Sequence, residues 1–227
     1  MARFLKDKQK AQGAAPGSLI FIGRQKIDHP RINVTQYNAE YLKEGELKSL
    51  DKINEYISDD HVTWISIEGL HDTSLIEQVG KKFTIPSLVL EDILNTDERP
   101  KMNEDDTHIF IILKSLYFNK ETRKAEFDQI SMILGSNYLI TIQETNTKYF
   151  EDVTKRLYSG LSKIRTYSPD YLCYTLIDTL VDSYILNIEK LGSSIEEQEK
   201  LLLSSGKKII QDIYHYKTEL SYIRKNI

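Results

Sequence analysis

Two adjacent carboxylates, Glu91 and Asp92, interrupt the apolar segment Leu88-Val89-Leu90-Glu91-Asp92-Ile93-Leu94. Leu88, Leu90, Ile93 and Leu94 have the spacing of one inward helical face, which leaves Glu91 and Asp92 on the wetter flank. The spacing predicts a short helix that ends at once. Asn95 to Arg99 contains no apolar residue, and Pro100 disfavours the α conformation at Arg99. Acids resume at Glu104, Asp105 and Asp106. Carboxylate oxygens on a rigid turn beside an acidic loop suit a hard divalent cation such as magnesium or calcium. The competing reading is a solvated helix end, since acidic side chains mostly sit in water.

A second acidic set lies further on. Asp178, Asp182, Glu189 and Glu196 fall within a roughly 40° arc of one helix at 100° per residue. A solvated face explains that pattern. So does an intersubunit surface, because carboxylates facing each other repel and a divalent ion between them turns repulsion into a bridge.

Other chemistries find no support. There is no Gly-rich phosphate loop, nucleophile elbow or paired-histidine metal motif, and the expectation is a protein that is not an enzyme. Acids outnumber bases 34 to 30, which argues against a general nucleic-acid binder. Cys173 is the single cysteine. It excludes a disulfide within the chain, fits a reducing cytosol, and is expected to be a small buried residue. The longest purely apolar run, Ile109 to Leu113, is far short of the roughly 18 residues of a membrane span. Behind the basic residues of Met1 to Lys10 no apolar segment follows, so no signal peptide is expected. A soluble polypeptide is the expectation.

The elements that must position these carboxylates come from periodicity. Residues 1–17 are polar and basic and are expected to be a disordered tail. Leu19 to Ile22 reads as a short buried strand, Ile32 to Tyr37 as an alternating one, and Val62 to Ile67 as a third. Glu46 to Ile57 has Leu47, Leu50, Ile53 and Ile57 at helical spacing. Thr73 or Ser74 can cap a helix whose Leu75, Ile76, Val79 and Phe83 face inward, with Glu77 completing a capping box from Ser74, and Pro86 opens the next. Thr107 to Phe118, Glu126 to Leu134 and Tyr138 to Glu144 read as an antiparallel meander. The fold class predicted for residues 18–147 is α+β, an α/β/α sandwich around a mixed, partly antiparallel sheet.

Residues 148–227 read as helical. A first helix spans Lys148 to Leu161. Ser168-Pro169 opens a second that runs for roughly 35 residues to Ser204-Ser205-Gly206. Ile177, Val181, Tyr184, Ile188, Leu191 and Ile195 form a heptad seam, and Ile209 to Ile227 repeats it, which predicts a long antiparallel helical hairpin. Ile227 lies on the seam with no capping residue after it. The expectation is a fragment cut inside a longer helix.

Several segments in order carry a resemblance: Trp64-Ile65-Ser66-Ile67-Glu68-Gly69-Leu70-His71, Leu88 to Leu94, Arg99-Pro100-Lys101, Asp170-Tyr171-Leu172, Leu176-Ile177-Asp178 and Leu180-Val181-Asp182. From about Gly17 to Ile227 the chain resembles the cytoplasmic half of the CorA family of magnesium and cobalt transporters. The resemblance implies a homopentamer at the cytoplasmic face of the cell membrane, anchored by C-terminal spans that carry a Gly-Met-Asn pore motif absent here. It implies regulatory Mg2+ between neighbouring domains, with Co2+ as a second transported ion. Asp92 matches one ligand, with a partner carboxylate on the neighbour's stalk helix. Glu91 and Asp178 match a secondary site, and Asp182 continues the same acidic stripe. The chain departs from the family at Pro86, where histidine is common, and at Asp97-Glu98, where His-Gln is common. As a fragment it is expected to be monomeric or weakly associated. Replacing Asp92 with Asn in the metal-free fragment is expected to relieve repulsion with Glu91 and Asp97. The alternatives are the zinc-transporting branch of the superfamily and a soluble helical scaffold with no ion role.

Overall fold

In Arg31–Tyr37 (β1), Ile32 and Val34 point into one apolar layer while Asn33 and Thr35 point to the other side, as the alternation of a strand requires. The computed structural model describes residues 12–145, 149–160, 163–204 and 209–227. Of the tail expected over residues 1–17, residues 1–11 lie outside the described residues. Gly17, at its end, donates its N–H to Glu91 Oε2 at 2.5 Å.

Seven strands form one sheet. After β1 come Leu42–Leu47 (β2) and Val62–Glu68 (β3), then Lys101–Glu104 (β4), Ile109–Asn119 (β5), Lys124–Leu134 (β6) and Tyr138–Gln143 (β7). Their order is β2-β1-β3-β7-β6-β5-β4. Only β3 and β7 pair in parallel, with Ile65 beside Ile140. The other pairings are antiparallel. The strand expected at Leu19 to Ile22 is instead an extended strap with a single bridge from Ile22 to Asn95. Most of the helix expected over Glu46 to Ile57 is not there: Leu47 closes β2, and Leu50–Glu55 forms a short 3-10 turn that buries Leu50 and Ile53.

Helices cover both faces. On one face lie Thr73–Phe83 (α1) and Ser87–Leu94 (α2), packed with Ile32, Ile65, Ile67, Ile140 and Ile142. Asp72, not Ser74, caps α1, accepting the Leu75 N–H at 3.1 Å. On the other face lie Glu151–Tyr158 (α3) and the first half of Pro169–Ser204 (α4), packed on Trp64, Ile130, Met132 and Leu139. Cys173 is buried in that layer, and burial pushes its thiol up to about 11. A hairpin follows. Ile209–Asn226 (α5) returns along α4, with Ser194 Oγ and Tyr216 Oη 2.8 Å apart. The break expected at Ser205-Gly206 lies outside the described residues.

The buried stripe of α4 follows the heptad seam only in part. Leu191 is buried and Ile177, Tyr184 and Ile195 pack against the core, but Val181 and Ile188 are each 44% exposed, and Leu172, Cys173, Leu176, Leu180 and Asn187 are buried as well. The reason is the partner. Along most of its length α4 lies on a sheet and not in a coiled coil, so the flat strand surface selects the stripe.

Beyond its neighbours in the sheet, the β5–β6 hairpin would present bare strand edges, which cost free energy when buried. Side chains close them. Asn187 Oδ1 accepts the Phe118 N–H at 3.0 Å and its Nδ2 donates to Leu116 O at 2.9 Å. Across the hairpin, Glu219 Oε2 accepts the Ala125 N–H at 2.7 Å. Asn187→Leu, which keeps the bulk and removes both bonds, is expected to destabilise the chain by about 2 kcal/mol, the cost of stranding a buried donor and acceptor. Thermal unfolding should read that as a melting point lower by about 4–8 °C.

Candidate cation site at the end of the second helix

The eight residues of α2 bury Leu90, Ile93 and Leu94. Leu88, expected to turn inward, is 57% exposed, and Val89 packs against the core in its place. At the end of the helix the last carbonyls are taken partly within the closing turn and partly by groups from elsewhere in the chain. The Asn95 N–H is shared between Glu91 O at 3.1 Å and Asp92 O at 3.2 Å. Gln129 Nε2 donates to Ile93 O at 2.8 Å, and the Ile22 N–H donates to Leu94 O at 2.9 Å. These partners satisfy the acceptors that any helix C-terminus leaves open.

Below the turn lies a buried ammonium. Lys114 Nζ donates to Thr96 O at 2.9 Å and to Gln129 Oε1 at 2.8 Å. A positive charge here complements the negative end of the α2 dipole. The Gln129 N–H is held in turn by Glu144 Oε1 at 2.7 Å. Glu144 Oε2 lies 2.8 Å from Lys26 Nζ, which also pairs with Asp128. Tyr149 Oη donates to Asp128 Oδ2 at 2.8 Å. A continuous polar spine thus runs from Lys26 through Glu144 and Gln129 to Lys114, and it fixes the turn that carries the carboxylates. Burial pulls the Lys26 ammonium down, but Glu144 and Asp128 outweigh this and hold it above the ordinary lysine value.

On the outer side of the turn, Asp92 Oδ2 pairs with Lys101 Nζ at 2.8 Å. Glu98 Oε1 shares the same ammonium at 3.3 Å, while Glu98 Oε2 accepts from Asn95 Nδ2 at 3.2 Å. Partial burial lowers Lys101, yet the bond from Asp92 and the charge of Glu98 hold it above the usual range. The Asp92 side chain stays 27% exposed. Its surroundings therefore already hold a cation, supplied by the chain itself. This corrects the expectation that Asp92 meets mainly Glu91 and Asp97: Lys101 neutralises it in the isolated fold.

Asp178 and Asp182 are exposed on α4. The sheet separates them from Glu91 and Asp92, because α2 belongs to one helix layer and α4 to the other. Among the described residues no three His, Cys, Asp or Glu side chains form a group able to hold a metal ion. The donors are hard carboxylate oxygens and suit Mg2+ by type, but one chain presents them as two separate half-sets. Lys101 was legible only as part of Arg99-Pro100-Lys101, with no role attached. Lys114 had a usable signal: a single lysine inside the apolar run Ile109 to Phe118 is a buried charge in search of partners.

A mixed seven-stranded sheet with helices on both faces and a 36-residue helix running off it define the fold. A family model described as CorA-like Mg2+ transporter protein matches residues 59–227, and the chain belongs to that family. It is 34% identical over 217 residues to the cobalt/magnesium transport protein CorA of Thermotoga maritima, covering 95% of this chain and 62% of that protein's length. The soluble domain of CorA from Methanocaldococcus jannaschii shares the fold, with a TM-score of 0.63 at 20% identity over 85% of this chain and 74% of that one. The cytoplasmic domain of ZntB from Vibrio parahaemolyticus does so at a TM-score of 0.59 and 15% identity, covering 86% of this chain and 74% of that one. Among the described residues no helix is long and apolar enough to cross a membrane.

Proposed function

We propose that this chain is the cytoplasmic, cation-sensing part of a divalent-cation transporter whose substrates are Mg2+ and Co2+. In this reading the transporter is a homopentamer at the inner face of the cell membrane, and the domain has no enzymatic activity. This chain on its own is monomeric or weakly associated. The observation that carries the reading is the division of hard oxygen donors between two faces of one domain. Glu91 and Asp92 stand on one face, Asp178 and Asp182 on the other. Either half-set is completed only by carboxylates from another copy. A bound Mg2+ would supply the charge that cancels their repulsion across that interface. Copies joined this way favour one symmetric, closed arrangement, and loss of the ion at low internal magnesium frees the domains to move.

Lys101 gives the proposal a test with a sign. It competes with any cation for Asp92, so Lys101→Met should make a full-length transporter carrying this domain more sensitive to magnesium. The measurement is the magnesium concentration that protects the domain from limited proteolysis. A partly exposed ion pair contributes up to about 1 kcal/mol, so the concentration should fall by up to about 5-fold. An unchanged or higher concentration would show that the cation does not engage Asp92.

A further inference from the structure

Ahead of β1 the chain crosses α2 as a strap, and the sequence prepares its first point of contact. Ala15-Pro16-Gly17-Ser18 is a tight turn, closed by the Ser18 N–H on Ala15 O at 3.1 Å. Proline at the second position and a left-handed glycine at the third (Gly17 φ +81°) are what a type II turn demands. Such a turn leaves the N–H of its central peptide standing out of the turn, clear of the closing bond. Here that group is the Gly17 N–H, and it donates to Glu91 Oε2 at 2.5 Å. Gly17 also lies against Ser87, one helical turn before Glu91: a Cβ on Gly17 would come 2.5 Å from Ser87 Oγ. The turn therefore covers the face of α2 that carries Glu91.

The rest of the strap is held differently. Leu19 and Phe21 pack against the core of that layer. Ile22 is clamped twice, its N–H on Leu94 O at 2.9 Å and its carbonyl accepting the Thr96 N–H at 2.8 Å. Residues 12–16, upstream, are exposed. The Gly17 bond is thus the outermost hold, and it can open while the apolar side chains stay packed. Segments held by so few contacts sit at the low end of local stability.

Both carboxylates of α2 are therefore answered by the chain itself. Asp92 meets Lys101, and Glu91 meets the strap. An N–H competes with a cation for a carboxylate, since both approach the same lone pairs. The turn competes for room as well. Mg2+ keeps several of its waters, and a hydrated ion does not fit between Glu91 and a backbone in hydrogen-bond contact with it.

We propose that the turn at residues 15–18 is a latch on the cation half-set: strap and divalent cation exclude each other at Glu91, so ion binding releases residues 12–18. The inference rests on the reading of α2 as half of a cation site. The latch itself is tested in this chain without metal, by amide exchange in nuclear magnetic resonance spectra. Glu91→Ala should speed exchange at Gly17 roughly fivefold, the scale of one lost hydrogen bond, and leave Ile22 unchanged. Unchanged exchange at Gly17 overturns the proposal.

Competition is tested in a full-length transporter carrying this domain, by limited digestion with proteinase K. Magnesium should protect the domain while making residues 12–18 easier to cut, two opposite signs in one experiment. Gly17→Ala puts a side chain on a left-handed backbone and a methyl group against Ser87. The strap should lift, and the protective magnesium concentration should fall roughly fivefold. Gly17 is not a core residue, and an unchanged melting transition confirms that the variant folds. A strap protected in step with the domain overturns the proposal, as does a protective concentration that Gly17→Ala leaves alone or raises. Lys101→Met separates this inference from the reading beneath it. If Lys101→Met shifts the protection curve and Gly17→Ala does not, the cation site stands and the latch falls. If neither shifts it, α2 holds no cation and the latch falls with the site.

Discussion

Lys26→Met should lower the stability of this chain by about 3 kcal/mol, the low end of what breaking a buried ion pair costs. The low end applies because the Lys26 side chain is 26% exposed while Glu144 is only 2% exposed. The loss comes mainly from what remains. Glu144 and Asp128 keep their charges in a space from which water is largely excluded, with no ammonium between them. Glu144 also holds the Gln129 backbone, and Gln129 holds both Lys114 and the end of α2. The variant should therefore loosen the turn that carries Asp92 as well as melt about 6–12 °C lower. Adding Glu144→Gln should restore part of the loss, since glutamine still accepts the Gln129 N–H and no longer buries an unpaired charge. A double-mutant cycle reads that coupling directly. Additive losses would mean that the two side chains do not act as a pair. The pH dependence has a definite sign. A lysine held above 10.5 in the fold contributes its full stabilisation below that value and loses it as pH rises through the folded value. The gap between wild type and Lys26→Met should thus be flat through neutrality and close only in strong alkali.

The strands buried on both faces were plain in the sequence, and the edges were not. β3, β5, β6 and β7 are dense in β-branched and aromatic residues, because each packs under helices on both sides. β2 reads Leu-Lys-Glu-Gly-Glu-Leu. Its charges and glycine suit an edge strand that must not pair with another chain, and they erase the pattern by which a strand is recognised. Leu47, Leu50, Ile53 and Ile57 do repeat at helical spacing, yet Leu47 packs from the end of a strand and Leu50 and Ile53 from a 3-10 turn. Periodicity reports which residues point inward and not which backbone points them.

The carboxylates were legible because acids interrupting an apolar helix are unusual. The cations around them were not, since Lys101 reaches Asp92 by chain reversal and the spine behind the turn is closed by Lys114 on Gln129 and by Lys26 on Glu144 and Asp128. Lys26 lies more than a hundred residues from Asp128, and no local spacing encodes such a pair. The stripe of α4 was only partly legible, for a similar reason: Ile177, Tyr184, Leu191 and Ile195 do pack inward, while Val181 and Ile188 do not. A heptad fits any helix with apolar residues on a broad front, and only the sheet decides that Asn187 goes in and Val181 stays out.

Asp92→Asn should raise the magnesium concentration needed to protect a full-length transporter of this type from proteolysis by roughly 5- to 150-fold, the range of a coupling worth about 1–3 kcal/mol. The change keeps the shape of the side chain and one acceptor oxygen. It removes the negative charge that a hard dication requires. No core packing is disturbed, because the Asp92 side chain is 27% exposed and faces Lys101. In the metal-free domain the same change forfeits one partly exposed ion pair, so stability should fall by no more than about 1 kcal/mol. Relief of acidic repulsion does not offset this, since Lys101 already stands between Asp92 and Glu98. The two variants at this pair should move the protection curve in opposite directions: Lys101→Met toward lower magnesium, Asp92→Asn toward higher. A purely structural role for the pair predicts otherwise. Both variants would then weaken the α2 turn and shift protection the same way, with the domain melting lower in each. If Asp92→Asn leaves the protection curve where it is while the domain melts several degrees lower, Asp92 serves the fold and not the ion.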